Sequence, residues 1–205
     1  MKLVIDLEYF PPISSIKNSY PFSHIIFEQY EIYPKASFRN RMIIANANGK
    51  VTLSIPILGG RNQRKCYKDI KMDNRVNWRN NHFRNLESAY NRSPWFSFYR
   101  DELAFLFNRP VVFLIDWNLL CYEWLKVQIG RKDMHWSLTE EYLKYYDSVA
   151  FVDSRQQLSP SNYEELRAPR YHQVFEEKLG FLPNLSILDL LFCEGPGAIR
   201  LLGGT

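Results

Sequence analysis

Apolar and polar positions alternate at two different periods along the chain, and the changes of period mark its elements. KLVIDLEY (2–9) is a short β-rich run that Pro11 and Pro12 stop, so it predicts a first strand. ISSIKNSY (13–20) follows as a helix. SHIIFEQYEIY (23–33) predicts a second strand, with Glu28 and Glu31 set among its apolar residues. MIIANANGKVTLSIPI (42–57) predicts a hairpin around the turn Asn46-Ala47-Asn48-Gly49. YKDIKM (67–72) fits one more short strand.

The period then becomes helical. Asn77 is a natural N-cap, and Pro94 ends the stretch that it opens. Ser93 can cap a second helix with Pro94 at its first position, and Phe98, Glu102 and Phe105 follow helical spacing within it. A third helix is expected from Asn108 and Pro110. Its apolar stripe is Val111, Leu114, Ile115, Tyr122, Leu125 and Ile129, and Gly130 is its C-cap.

HWSLT (135–139) returns to strand, and residues 148–162 read as an extended segment and a loop. YHQVFEEKLG (171–180) predicts a short helix. Asn184 then caps a final helix whose Ile187, Leu188, Leu190, Leu191 and Phe192 leave little polar face, so it is buried. Gly203, Gly204 and Thr205 are expected to fray. The order predicts an α/β or α+β fold: a small mixed sheet flanked by helices, with a central helical segment, in a single domain over residues 1–205.

Helical spacing places Trp78, His82 and Leu86 on one face of NWRNNHFRNLESAY (77–90), with Asn80, Arg84 and Glu87 largely opposite and Arg84 paired to Glu87. His82 is either a histidine at the core's edge, bonded to backbone, or a proton carrier at the floor of a cleft. Asp189 lies on the apolar final helix, where a carboxylate must be paired or protonated. Arg39, Arg41 and Arg155 are candidate partners.

Composition narrows the function. The net charge is +4, concentrated in the basic stretch 61–79, which reads as a solvated face or as a site for an anion. Aspartates interrupt that stretch and no nucleic-acid motif accompanies it, so nucleic acid is not an expected partner. Many of the 13 tyrosines must pack in the core, but sugar- and base-binding clefts also use such rings. Three separated cysteines form no CxxC, and four scattered histidines form no HxH or HxxxH, so no metal site is expected. The cofactor stays unknown and the oligomeric state open. MKLVIDLEYFPP carries acids within its apolar run, unlike a signal peptide, and no apolar run is long enough for membrane insertion. A cytoplasmic protein is expected.

An ordered set of motifs resembles the WbqC-like family of bacterial surface-polysaccharide (O-antigen) gene clusters, in its short, Bacteroidetes-type branch. They are YFPPI (9–13), YPKASFRNR (33–41), LSIPI (53–57), NWRNNHFRNLESAYNRSPWF (77–96), SLTEEY (137–142), RYHQVF (170–175) and FLPNLSILDLLFCEGP (181–196). Longer members open with a His-Gln-Pro-like motif where this chain has Ile5-Asp6-Leu7-Glu8, and they add a C-terminal α/β portion with a Gly-rich loop.

The resemblance implies a transferase of a sugar, acyl or aminoacyl group, acting on an anionic or activated-sugar small molecule. On that reading His82 is the general acid or base, oriented by Glu87 or Glu28. Arg39, Arg41 and Lys35 hold a phosphate or carboxylate. Asn40 orients a hydroxyl, while Tyr9, Tyr33, Tyr90 and Trp78 supply stacking surface. Asp189 completes the candidate set. The alternative is a non-catalytic protein that binds glycan precursors or envelope-assembly partners. It is favoured by the missing motif and the missing Gly-rich portion.

Overall fold

A computed structural model describes residues 1–60 and 63–203. Arg61, Asn62, Gly204 and Thr205 lie outside the described residues, and with them the start of the basic stretch and most of the expected C-terminal fraying.

Four parallel strands form the central sheet in the order β5-β2-β1-β6: β1 (Lys2–Ile5), β2 (His24–Phe27), β5 (His135–Leu138) and β6 (Phe151–Asp153). Leu3 is the register point, opposite Ile25 on one side and Val152 on the other. A separate antiparallel hairpin pairs β3 (Arg41–Asn46) with β4 (Gly49–Ser54). Parallel and antiparallel pairing therefore coexist, with helices packed around them, as the α/β or α+β expectation requires. Helix α1 (Ile13–Ser19) crosses from β1 to β2. The central helical segment is α2 (Trp78–Tyr90), α3 (Phe96–Phe107) and α4 (Leu114–Gln128), and α5 (Glu176–Leu179), α6 (Ile187–Glu194) and α7 (Ala198–Leu202) close the chain. Among the described residues no helix is long and apolar enough to cross a membrane.

Several boundaries differ from the sequence reading, each for a local reason. β2 stops at Phe27 rather than running to Tyr33. The Glu28 carboxylate accepts from Tyr30 N at 2.7 Å and from Thr139 Oγ1 at 3.1 Å, which turns the chain out of the ladder. Tyr67–Asp69 is a 3₁₀ turn, and only isolated bridges follow it, Met72 to Ile57 and Lys71 to Phe113. The second of these holds Phe113 extended, so α4 begins at Leu114 and Val111 precedes it. Gly130, at φ +71°, follows the end of α4 as expected.

Ser93 caps no helix; its hydroxyl donates to Tyr90 O at 2.8 Å, and α3 starts at Phe96. Phe98 and Phe105 do share a face of α3, but it is the outer one, 65% and 67% exposed. The helix expected over 171–180 shrinks to α5.

Ser186, not Asn184, caps α6, accepting from Leu188 N. Asn184 instead caps α1: its Oδ1 accepts from Ser14 N and its Nδ2 donates to Ser14 Oγ, both at 2.8 Å. A residue from the far end of the chain thus fixes the start of the first crossover helix. Beside it, Phe10 holds φ +39°, a backbone strain of order 1 kcal/mol for a non-glycine residue. Ser186 Oγ donates to the Phe10 carbonyl at 2.8 Å and secures that corner.

Candidate functional site

In an open α/β sheet the free space lies beyond the carboxyl ends of the strands, where neighbouring connections diverge. Here β1 has β2 on one side and β6 on the other, and a cleft of about 470 Å³ opens beside that junction. Its walls come from β1 and the residues just after it (Asp6, Glu8), from α1 (Ser14, Ser15, Asn18) and the turn that follows it (Pro21, Phe22), and from β6 and the segment after it, so the cleft runs along the sheet between α1 and the β1–β6 pair as well as past the strand ends. The volume lies within the roughly 300–1,000 Å³ usual for small-ligand sites.

Glu8 is 8% exposed and accepts from Ser15 Oγ at 2.8 Å. Burial pushes its carboxyl up to about 8, and the neighbouring Asp6 adds to the effect. Asp6 accepts from Arg39 Nη2 at 2.6 Å and from Gln156 N at 2.9 Å. Arg39 Nη2 also binds Glu31, and its guanidinium lies 4.9 Å from the Tyr67 ring centroid. Arg39 is 1% exposed. Burial opposes its charge, while Asp6 and Glu31 raise its pKa. Arg39 thus acts on the cleft through Asp6.

A second polar cluster sits at the ends of β2 and β6. Arg155 Nη1 donates to the buried Glu28 at 3.1 Å and Nη2 to Asp153 at 2.7 Å. Its guanidinium lies 5.3 Å from the Tyr142 ring centre and 4.8 Å from that of Tyr146.

The residues singled out from sequence form other groups. Tyr9, Trp78 and His82 come together in the core. The Tyr9 hydroxyl is 3.0 Å from His82 Nδ1, and Trp78 meets the imidazole edge-on at 5.2 Å between ring centres. A ring N–H of His82 bonds the Ser54 backbone, which leaves Nδ1 to accept from Tyr9. Burial lowers the His82 pKa to about 4, so the ring is neutral at pH 7. Glu87 is not beside it: its carboxylate holds Arg100 at 2.8 Å on the outer face, rather than Arg84.

Asn40 Nδ2 donates to Ile55 O at 2.9 Å and braces the hairpin, while Arg41 opens β3. The hairpin does meet α2, since Ala45 N donates to the Tyr90 hydroxyl at 3.1 Å. Tyr33 packs by Tyr67, and Lys35 is exposed. Asp189 is bound not by an arginine but by the hydroxyls of Tyr90 and Tyr171, each donating at 2.6 Å. Its pKa rises to about 6 because burial outweighs those hydrogen bonds.

None of the residues singled out from sequence lines the β1–β6 cleft. Glu8 and Asp6, which do, were passed over. The signal for them in the sequence is two acids that interrupt the apolar run of the first strand.

Residues 8–144 and 132–201 match the WbqC-like protein family. No curated protein and no solved structure gives a significant match.

Proposed function

The chain belongs to the WbqC-like protein family, and from that premise we propose that it is a transferase of bacterial surface-polysaccharide assembly, of the O-antigen type. It moves a sugar, acyl or aminoacyl group from an activated donor to an acceptor seated in the β1–β6 cleft. Glu8 is the general acid or base. The observation that carries this reading is a buried carboxyl, tuned to about 8, in the wall of a cleft between α1 and the β1–β6 pair. Such a group holds or releases a proton near neutral pH, which is what acid–base catalysis of group transfer needs.

Asp6, fixed by Arg39, is the second carboxyl of the site, and Ser15 positions Glu8. The buried trio of Tyr9, Trp78 and His82 stiffens the hairpin and α2 behind them. The reaction belongs in the cytoplasm, where activated donors are made and where the free thiols of Cys66, Cys121 and Cys193 stay reduced.

The test is turnover of nucleotide sugars, acyl thioesters and acyl phosphates, followed by mass spectrometry. Glu8→Gln is expected to lower kcat by about 100-fold or more while the protein stays folded. Equal turnover by the folded variant would remove Glu8 from the chemistry.

One observation favours a second reading, a non-catalytic binding or scaffold protein. Phe98 and Phe105 stand exposed on α3, and Phe105 joins Leu106, Leu120 and Trp124 in a groove that Asp101, Glu102 and Arg109 also line. Exposed apolar patches of this kind mark binding surfaces. A folded protein that turns over no donor yet retains a glycan precursor supports that reading.

A further inference from the structure

The outer face of α3 carries a pattern that is its own complement. Phe98, Asp101, Glu102 and Phe105 recur every three or four residues and so share one side of the helix. The chain keeps turning past the end of α3, with Arg109 N donating to Leu106 O at 3.0 Å, and this carries Arg109 onto the same side. Its guanidinium lies 5.8 Å from the Phe105 ring centroid. An exposed ring thus stands between two acids about one turn before it and one base about one turn after it. Acids, ring and base line one groove with Leu120 and Trp124 of α4.

The chain itself does not balance these charges. Arg109 has no carboxylate in ion-pair reach among the described residues. Glu102 accepts from two neutral donors, Trp124 Nε1 at 2.8 Å and Gln128 Nε2 at 2.9 Å. Asp101 receives a 3.3 Å contact from Arg100, whose guanidinium already holds Glu87 at 2.8 Å.

We infer that the occupant of this face is a second copy of the chain, set antiparallel about a two-fold axis that passes between the two Phe105 rings. A two-fold axis sets one residue against another and the second against the first. Each copy's Arg109 then faces the other copy's Asp101 and Glu102, and the two rings meet in the groove between them. A parallel arrangement would set base against base and acid against acid. None of these residues lines the β1–β6 cleft, so the dimer stands or falls apart from the transferase reading.

The experiment is sedimentation velocity of the full chain from about 1 μM to about 300 μM. The wild type is expected to become a dimer within that range. Phe105→Ser, at an exposed position, removes one ring from each copy and is expected to weaken the dimer by at least about 100-fold. Arg109→Glu and Asp101→Lys each set like charges together twice per dimer, and each is expected to weaken it by at least about tenfold. An equimolar mixture of those two variants restores opposite charges at both contacts and is expected to associate as the wild type does. The charged positions are exposed, so this arm stands even if Phe105→Ser fails to fold.

A wild type that stays monomeric throughout would overturn the inference and leave the face to a different partner. A dimer that Phe105→Ser leaves unchanged would overturn it by placing the contact elsewhere. A mixture that stays monomeric would overturn the antiparallel two-fold pairing.

Discussion

Replacing Glu8 by glutamine changes how stability depends on pH, and the structure sets the size of the change. The folded protein keeps a proton on Glu8 because burial, with Asp6 close by, disfavours the carboxylate; Ser15 and Arg39 oppose this only in part. The unfolded chain releases that proton at the ordinary value. Glu8 therefore contributes its stability in full below about pH 4.5 and loses it as pH rises through about 8. At roughly 1.4 kcal/mol per pH unit, a rise from 4.5 to about 8 corresponds to about 5 kcal/mol. Glutamine keeps the acceptor for Ser15 and cannot ionise.

Urea unfolding of wild type and Glu8→Gln, followed by tryptophan fluorescence from about pH 5.5 to about pH 7.5, reads the difference directly. Because both proteins share every other titrating group, His82 and Asp189 cancel. The variant should gain on wild type by about 1.4 kcal/mol for each pH unit. A difference constant to within about 0.5 kcal/mol across that range would refute the burial argument.

Arg39→Ala leaves Asp6 and Glu31 without their buried cation and should cost about 3–5 kcal/mol by urea unfolding. Asp189→Asn keeps one acceptor for two tyrosine hydroxyls and should cost about 1–3 kcal/mol, read as a lower Tm. His82 acts in the opposite pH sense to Glu8. Its pKa is depressed from 6.5 to about 4, so its stabilisation is present above about pH 6.5 and lost as pH falls through about 4. His82→Gln should flatten that acid limb of the stability profile.

Where periodicity and capping act within a few residues, the sequence was readable. The hairpin turn at 46–49, the buried Trp78–His82–Leu86 stripe and the glycine after α4 stand where their local chemistry puts them. Elements failed where a distant partner outbid the local one. Asn184 has the chemistry of a cap for its own helix, but Ser14, 170 positions away, takes its side chain. Glu28 looks like part of a strand until Thr139 and Arg155 reach it from late in the chain.

The site was hidden for a related reason. Basic and aromatic residues draw the eye as ligand contacts, yet Arg39, Tyr9, Tyr33, Tyr90 and Trp78 are each 5% exposed or less, and the core uses them. Carboxyls two positions apart at the end of a strand look unremarkable until the parallel topology places that end at a cleft.

The central claim, that the β1–β6 cleft is where ligand binds, is tested most directly by a thermal-shift panel. Nucleotide sugars, acyl-CoAs and acyl phosphates are screened against wild type, Asn18→Trp and Arg41→Ala. A ligand at about a hundred times its dissociation constant adds roughly 2.7 kcal/mol, a rise of about 5–10 °C for a chain of this size. The account predicts a shift in wild type and in Arg41→Ala that disappears in Asn18→Trp, with the unliganded Tm of Asn18→Trp unchanged. A shift that survives Asn18→Trp and disappears in Arg41→Ala would contradict it and move the site to the hairpin.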